Sequence, residues 1–487
     1  MFYNNHLEAI LFDFDDTLVH TDELKEFRES GSRQELKQNA HLSWCYDNVP
    51  KLLHSIREKN IPIGLVTNSP RWYIDILIDH HNLGEFDTIV TYDDVSASGI
   101  KPSPLGINKA LSNLGLTSKS RVIYIGDTDI DFVAAYEVGI KPIAPSWASK
   151  HPIHQVPAAI LNSDTLIHYI EHFDRIALIA DQTASKRTFN FEYDQLNFIP
   201  LNDKGNVTAI NKDDVRLLAL GRYFSQKSKV TALYHESHQL SKDIFEKERS
   251  ETYVIPGYYV DLMVKVIDSL SLYKFRNSVK KTFDIITVIP SKQGKNPRLE
   301  NYLKRISRQS TSDSQFVTDL FEFSHDATSS KTVSGGHAAR YANIDGKLHV
   351  KEKYRNALVG KSVLIIDDVI TTGATIKKAF ELLEFENVGL HMGVVLAKTV
   401  SISEEQRSCP ECHSLLRIRT NHKNGIHFYG CTGFYEPHKC TYKENIVIKK
   451  CPKCEGNLIK RKKHSYFLAC DNFTNPQIRC RHMEPWN

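Results

Sequence analysis

Four apolar runs in the first 160 residues end in the same way, and this recurrence limits the folds open to the chain more than any bulk property does. AILFDFDDTLV predicts a buried strand over Ala9–Phe12 with Asp13 and Asp15 just beyond its carboxyl end. IPIGLVTN delivers Thr67 and Asn68, DTIVTYDD stops short of GIKPSP, and RVIYIGDTDID delivers Asp127 and Asp131. Helical stretches separate the runs, so the expected sheet is parallel and doubly wound. In such a sheet ligands bind beyond the carboxyl ends of the strands, where these polar residues collect.

Residue type and spacing then suggest a chemistry. Alternate residues at a strand end point the same way, so Asp13 and Asp15 reach one small site, one as nucleophile and one as proton donor to a leaving oxygen. Carboxylates that close repel each other and a phosphate alike. A Mg²⁺ held by Asp13 and Asp127, with Asp15 and Asp131 as further candidate ligands, removes that conflict. Thr67 and Lys101 suit the phosphoryl oxygens. The motifs DFDDT, TN, KP and GDTDID, in this order, resemble the haloacid dehalogenase-like phosphatase superfamily over roughly residues 6 to 160. The resemblance implies an aspartyl-phosphate on Asp13, with Asp15 as general acid and base. Strand and helix capping by these acids is the bland alternative, and four agreeing signals weigh against it. Between the first two motifs, ELKEFRESGSRQELKQ predicts a small helical lid, hence an open site and a bulky substrate, or a site completed by another domain.

A chain of 487 residues exceeds what one hydrophobic core serves, and its 41% hydrophobic and 25% charged residues are ordinary for globular domains. The expected fold class is α/β, with two Rossmann-like parallel-sheet domains followed by two small four-cysteine zinc ribbons. The expected boundaries are 1–160, a linker or hood at 161–204, a second sheet domain at 205–402, and ribbons at 407–445 and 446–487. LNFIPLNDKGNVTAI predicts a hairpin, while DDVRLLALGRYFSQ and SHQLSKDIFEKERS predict amphipathic helices. His235 and His238 fall in a polar stretch that suggests surface and no role.

Further on, FDIITVIPSKQGKNPR predicts a strand that breaks into a loop. There Ser291 and Lys292 would offer N–H groups and charge to a pyrophosphate. TVSGGHAARYANIDGKLHV is long and Gly-containing enough for a flap. VLIIDDVITTGAT then sets Asp367 and Asp368 to accept from vicinal ribose hydroxyls or bind Mg²⁺. Thr371, Thr372, Gly373, Ala374 and Thr375 form a turn into a helix, where N–H groups and hydroxyls face a 5′-phosphate. This stretch resembles the PRPP-binding motif of type I phosphoribosyltransferases, most closely the ComF-like branch. The resemblance implies ribose-5-phosphate transfer with loss of pyrophosphate. Members of the fold that only sense PRPP or a nucleotide keep the same motif, so both roles stay open.

Eight of the nine cysteines follow residue 408, and the pattern CPEC-x18-C-x8-C is echoed by CPKC-x15-C-x9-C. Cys409, Cys412, Cys431 and Cys440 form one tetrahedral Zn²⁺ set, and Cys451, Cys454, Cys470 and Cys480 the other. Iron-sulfur ligation is the alternative, disfavoured by the aromatic and basic residues in between. The remaining Cys45 suggests a half-buried free thiol. From residue 407 on, Lys and Arg outnumber Asp and Glu by fifteen to six, against +4 for the whole chain, so the basic character sits in the tail. RIRTNHKNGIHFYGCTGFYEPHKC resembles the zinc ribbons at the C-terminus of type IA topoisomerases, which implies single-stranded DNA or RNA as partner. Phe428, Tyr429, Phe434 and Tyr435 would stack on bases, while Arg417, Arg419, Lys423, Lys460, Arg461, Lys462 and Lys463 meet phosphates. Alternatively some of these aromatics form each ribbon's miniature core.

No basic n-region opens the chain and no apolar window spans a membrane, which suggests a cytoplasmic protein without a membrane partner. Nothing in the sequence speaks to oligomeric state. Three functions remain open. One is a two-centre enzyme of nucleotide metabolism, acting on a phosphorylated small molecule and PRPP. The second is a phosphatase of nucleic-acid ends with a nucleotide-sensing second domain, in bacterial stress or phage defence. The third is a binding module in which neither site turns over.

Overall fold

The computed structural model describes residues 5–116, 121–148, 153–190, 196–202, 205–208, 215–226, 228–324, 346–402, 409–412, 416–421, 426–435, 439–445, 447–454 and 456–485. The chain divides into two compact units, Met1–Ile402 and Ser403–Asn487. In the first unit the opening sheet has six parallel strands: β1 (Ala9–Phe12), β2 (Ile63–Val66), β3 (Thr88–Val90), β4 (Val122–Ile125), β5 (Lys141–Pro145) and β6 (Ala159–Leu161), ordered β3-β2-β1-β4-β5-β6. All four residues of β1 and of β4 are buried, as a central parallel strand covered on both faces requires. Between β1 and β2 the charged insert forms two short helices, Lys25–Ser30 and Arg33–Asn39, separated by Gly31 at φ +73°. The expected boundary at residue 160 falls inside β6, and Leu166, Ile170 and Ile176 still pack into this sheet's core.

A second sheet follows in the same unit: β7 (Ile199–Leu201), β8 (Leu217–Ala219), β9 (Arg222–Phe224), β10 (Ile285–Val288), β11 (Gln315–Val317), β12 (Ser362–Ile370) and β13 (Leu390–Val400). Its order is β11-β10-β12-β13-β8-β7, with β9 continuing alongside β13; only β7 runs antiparallel. The helix expected over DDVRLLALGRYFSQ is corrected here: its described part forms β8 and β9. LLALGRYF is buried on both sides, so it lacks the alternation of a half-exposed strand and imitates helical spacing. The hairpin over 196–210 is seen in part, with Leu201 bridging Val207, while β7 joins the large sheet. Of the flap at 332–350, residues 332–345 lie outside the described residues, and Leu348–Val350 form a strand paired with Phe321–Phe323.

The two sheets share one core. Phe132, Val133 and Tyr136, from the helix Asp129–Val138 of the first sheet, pack with Ile199, Leu217, Phe224 and Val400 of the second. Inside this seam Asp181 binds Arg222 at 2.8 Å, and Arg222 Nη1 donates to Tyr136 Oη at 3.1 Å. His235 is buried with Nδ1 2.7 Å from the Phe224 carbonyl, and His238 caps the helix Gln239–Arg249, so neither is the surface residue its polar neighbours suggested.

The second unit holds two small antiparallel sheets, Leu416–Asn421, Ile426–Cys431 and Lys443–Asn445, then Val447–Lys450, Asn457–Lys462, Tyr466–Cys470 and Met483–Pro485. Their apolar cores amount to a few residues around the cysteines, Leu416 and Tyr429 in one and Leu458 and Leu468 in the other. Packing on that scale cannot hold a fold without a metal. Among the described residues no helix is long and apolar enough to cross a membrane.

Candidate active sites

Beyond the carboxyl ends of β1, β2 and β4, the structure gathers Asp13, Asp127, Asp131, Thr67 and Lys101, all buried. Oxygens of Asp13, Asp127 and Asp131 lie within 4.8 Å of one another. Lys101 Nζ sits 2.7 Å from Asp13 Oδ1, 2.6 Å from Asp131 Oδ1 and 3.0 Å from Tyr124 Oη. Asp13 Oδ1 is thus buried with the Lys101 ammonium as its charged neighbour. Three crowded carboxylates suit a hard divalent cation. Burial pushes the Asp13 carboxyl up to about 7 against the pull of Lys101. On Lys101 burial opposes the charge, but Asp13 and Asp131 outweigh it and hold the ammonium well above the ordinary lysine value.

Asp15, expected among the metal ligands, stands outside that group, and this expectation is corrected. Its Oδ1 accepts from Thr21 Oγ1 at 2.8 Å and Tyr73 Oη at 3.0 Å, its Oδ2 from Ser69 Oγ at 2.5 Å, and Arg28 of the insert lies 3.4 Å away. Four neighbours fix the side chain apart from the carboxylate cluster. Asp131 also caps its own helix through Thr128, and Thr17 Oγ1 donates to Asp127 at 3.2 Å. Thr67 Oγ1 accepts from Ser69 N at 3.1 Å, which leaves its own proton for a substrate oxygen.

In the second sheet the two acids of VLIIDDVITTGAT do not act side by side. Strand β12 continues through both as far as Ile370, so Asp367 and Asp368 point to opposite faces, and the joint grip on a ribose is corrected on that ground. Asp368 is buried against Arg298 Nε at 2.8 Å and Lys247 Nζ at 3.1 Å. Burial opposes its ionisation, yet these cations hold its carboxyl well below the usual range. Asp367 is half-buried, and burial together with the Asp368 charge pushes it up to about 7. Gly373 at φ +79° turns the chain into the helix Ala374–Phe385, with Thr371 exposed, Thr372 and Thr375 half-buried, and Ala374 buried. Lys398 Nζ donates to the Thr371 carbonyl. Ser291, expected to face pyrophosphate, instead gives its N–H to Glu300 at 2.6 Å and its hydroxyl to Asn296 O at 2.8 Å. That loop is closed on itself, with Lys292 5.2 Å from the Phe323 ring.

Each cysteine set converges without forming disulfides. All four Sγ atoms of Cys409, Cys412, Cys431 and Cys440 lie within 4.8 Å of one another, as do those of Cys451, Cys454, Cys470 and Cys480. Thiols so close and unoxidised fit a tetrahedral soft metal. Among the expected strand-binding residues, Tyr429 is buried in the first ribbon's core, so its base-stacking role is corrected. Phe428 is half-buried and Phe434 exposed; Arg417 and Arg419 lie on the strand Leu416–Asn421, and Lys423 falls outside the described residues. In the second ribbon Lys460 Nζ is 4.1 Å and Lys462 Nζ 5.0 Å from the Tyr466 ring centroid, with Arg461 and Lys463 exposed.

Comparison with known proteins follows this layout in order. The sequence model of haloacid dehalogenase-like hydrolases matches residues 25–144, that of the phosphoribosyl transferase domain residues 305–428, and that of the topoisomerase DNA binding C4 zinc finger residues 448–485. The chain carries these three domains in that order. Pyrophosphatase PpaX of Bacillus cereus is 30% identical over 138 residues, 28% of this chain and 62% of that protein. Phosphoglycolate phosphatase of Aliivibrio fischeri is 29% identical over 125 residues, 25% of this chain and 54% of that protein. The chain thus spans less than two thirds of the length of these relatives. A solved hydrolase of the same superfamily from Ehrlichia chaffeensis is 21% identical, with a TM-score of 0.26, covering 34% of this chain and 97% of that one.

The haloacid dehalogenase-like match begins downstream of Asp13, and the phosphoribosyltransferase match runs past β13 into the first ribbon. Several residues of the hydrolase domain are visible only in the fold. Asn68 grips the Lys101 backbone at both ends, Nδ2 donating to its carbonyl at 3.1 Å and Oδ1 accepting from its N–H at 2.8 Å. Asn68 stands in the TN motif, so its position was legible and its partner was not. Thr21, Ser69 and Tyr73 around Asp15 carry no sequence signal of that duty.

Proposed function

We propose that the chain is a Mg²⁺-dependent phosphatase acting through Asp13, joined to a domain that binds PRPP and transfers its ribose phosphate, and held on single-stranded nucleic acid by two Zn²⁺ ribbons. The observation that carries this reading is the convergence of the buried Asp13, Asp127 and Asp131 carboxylates beside Lys101. A Mg²⁺ on Asp13, Asp127 and Asp131 would neutralise charge on the phosphoryl group. Asp13 attacks phosphorus, the ester oxygen departs with the proton of Asp15, and Lys101 and Thr67 hold the phosphoryl oxygens. Water then attacks phosphorus and gives its proton to Asp15, which frees phosphate and restores Asp13. The thiolate sets require a reducing compartment, which supports a cytoplasmic setting.

At the second sheet, Asp367 accepts from the ribose, and the turn Thr371–Thr375 receives the 5′-phosphate at a helix N-terminus. A sensing role is the second reading, favoured by the donors of Ser291 that Glu300 and Asn296 occupy and by the cations bound to Asp368. Phosphate release from p-nitrophenyl phosphate should vanish in Asp13→Asn and fall by about 10² to 10⁴ in Asp15→Asn. Pyrophosphate release from PRPP with a panel of nucleobases should survive Asp13→Asn and be lost in Asp367→Asn. PRPP binding without pyrophosphate release would select the sensing role, and phosphatase activity that persists in Asp13→Asn would refute the first half.

A further inference from the structure

A cleft of about 800 Å³ is walled by Arg33 and Lys37 of the insert helix Arg33–Asn39 on one side and Arg71, Trp72 and Asp75 of the helix Arg71–His80 on the other, with Asp93 at its edge. The two acids are committed to the helix start, Asp75 to Arg71 Nε and Asp93 to the Arg71 N–H, both at 2.7 Å. Positive charge from Arg33 and Lys37 therefore dominates the opposite wall. The two residues stand one turn apart, about 6 Å along the helix. Arg33 lies 5.6 Å from the Trp72 ring centroid, a guanidinium and an indole placed as a platform for a flat ring.

The helix Arg71–His80 that walls this cleft also reaches Asp15. Tyr73, next to Trp72, donates to Asp15, and so does Ser69, two residues before Arg71. Arg28 of the first insert helix reaches both Asp15 and Ser69. One helix end thus presents Asp15 with hydroxyls on one face and the cleft with Trp72 on the next.

We propose that the cleft seats the nucleotides adjoining a terminal phosphate of a single strand, so that the phosphatase substrate is a phosphorylated nucleic-acid end. Two cations one turn apart match successive backbone phosphates, and the indole takes a base; a mononucleotide, whose one phosphate is the reacting monoester, has no phosphodiester for the pair. In the reaction the P–O bond to the strand terminus breaks, and the departing hydroxyl takes the Asp15 proton. The inference rests on the phosphatase reading above.

The test compares full-length protein on 3′- and 5′-phosphorylated hexadeoxynucleotides, the corresponding mononucleotides and p-nitrophenyl phosphate. One of the two hexamers should exceed its mononucleotide in kcat/KM by about a hundredfold, with two phosphate contacts and one stacked base contributing. R33E/K37E should raise KM for that hexamer at least about tenfold and change p-nitrophenyl phosphate turnover less than about twofold, because only strand phosphates are lost. Trp72→Ala should weaken the hexamer selectively too. Equal use of hexamer and mononucleotide, or an unchanged hexamer KM in R33E/K37E, overturns the cleft proposal while leaving p-nitrophenyl phosphate turnover and the phosphatase reading intact. No turnover of p-nitrophenyl phosphate overturns both. The ribbons are present in both wild type and R33E/K37E, so their own affinity for the hexamer cancels in that comparison, which decides the cleft proposal.

Discussion

Lys101 illustrates how a buried charge is kept both ionised and in place. Its ammonium has Asp13, Asp131 and Tyr124 around it, while its backbone is clamped by Asn68. Asn68→Ala removes the clamp and leaves the charge, so kcat for p-nitrophenyl phosphate should fall by about tenfold with little change in KM, and Asn68→Asp, which keeps the acceptor for the Lys101 N–H, should recover part of it. A second buried pair, Asp181 with Arg222, is structural. Burial opposes the Asp181 charge, but Arg222 and His238 outweigh it and hold the carboxyl at about 2. Asp181→Asn should cost about 3 to 5 kcal/mol in urea unfolding at pH 7, since Arg222 is left buried and unpaired. The folded-state value lies below the ordinary carboxylate value, so this stabilisation is complete above about pH 4 and fades as pH falls toward 2. The difference between wild type and variant should therefore shrink across that window.

Among the elements, legibility followed chemistry. Strand β1 and its acids were readable because an apolar run ending in Asp-x-Asp has few other uses, and the cysteine sets because thiols at ribbon spacing imply a metal. By contrast β8 and β9 were misread: Leu217, Leu218 and Ala219 are buried on both faces, and a short run of that kind carries no period. Where Asp15 and Ser291 find their partners was also out of reach, because Tyr73 and Glu300 are brought to them only by folding. The turn at Gly205 is another such case. It sits at φ +72°, and a Cβ there would lie 3.3 Å from the backbone of Thr372 and Gly373, in the turn that follows β12 of the second sheet. Two residues on, Val207 exchanges backbone bonds with Ile153 of the first. Gly205→Ala should destabilise the unit by about 1 to 2 kcal/mol from the left-handed backbone alone. It should also weaken PRPP binding, which isothermal titration would register.

At the level of the whole molecule, the two units should respond to different insults. Zn²⁺ held as proposed would supply each ribbon with about 10 to 16 kcal/mol of binding free energy, the value for a structural site of this kind. Treatment with a strong chelator should unfold Ser403–Asn487, seen as loss of amide dispersion for those residues and of oligonucleotide binding. Met1–Ile402, whose sheets rest on apolar packing, should keep its signals and its urea midpoint. Within that larger unit no comparable division exists, because Phe132 and Tyr136 are shared between both sheets.

The helix Asp129–Val138 starts at one reaction centre and ends as filling for its neighbour's wall. A gene split anywhere between β6 and β7 would leave each product with a greasy flank facing water, so the two halves should precipitate when made separately and recover when made together. Inheritance of the pair as a single reading frame is then a demand of solubility, quite apart from any benefit of having two chemistries close at hand.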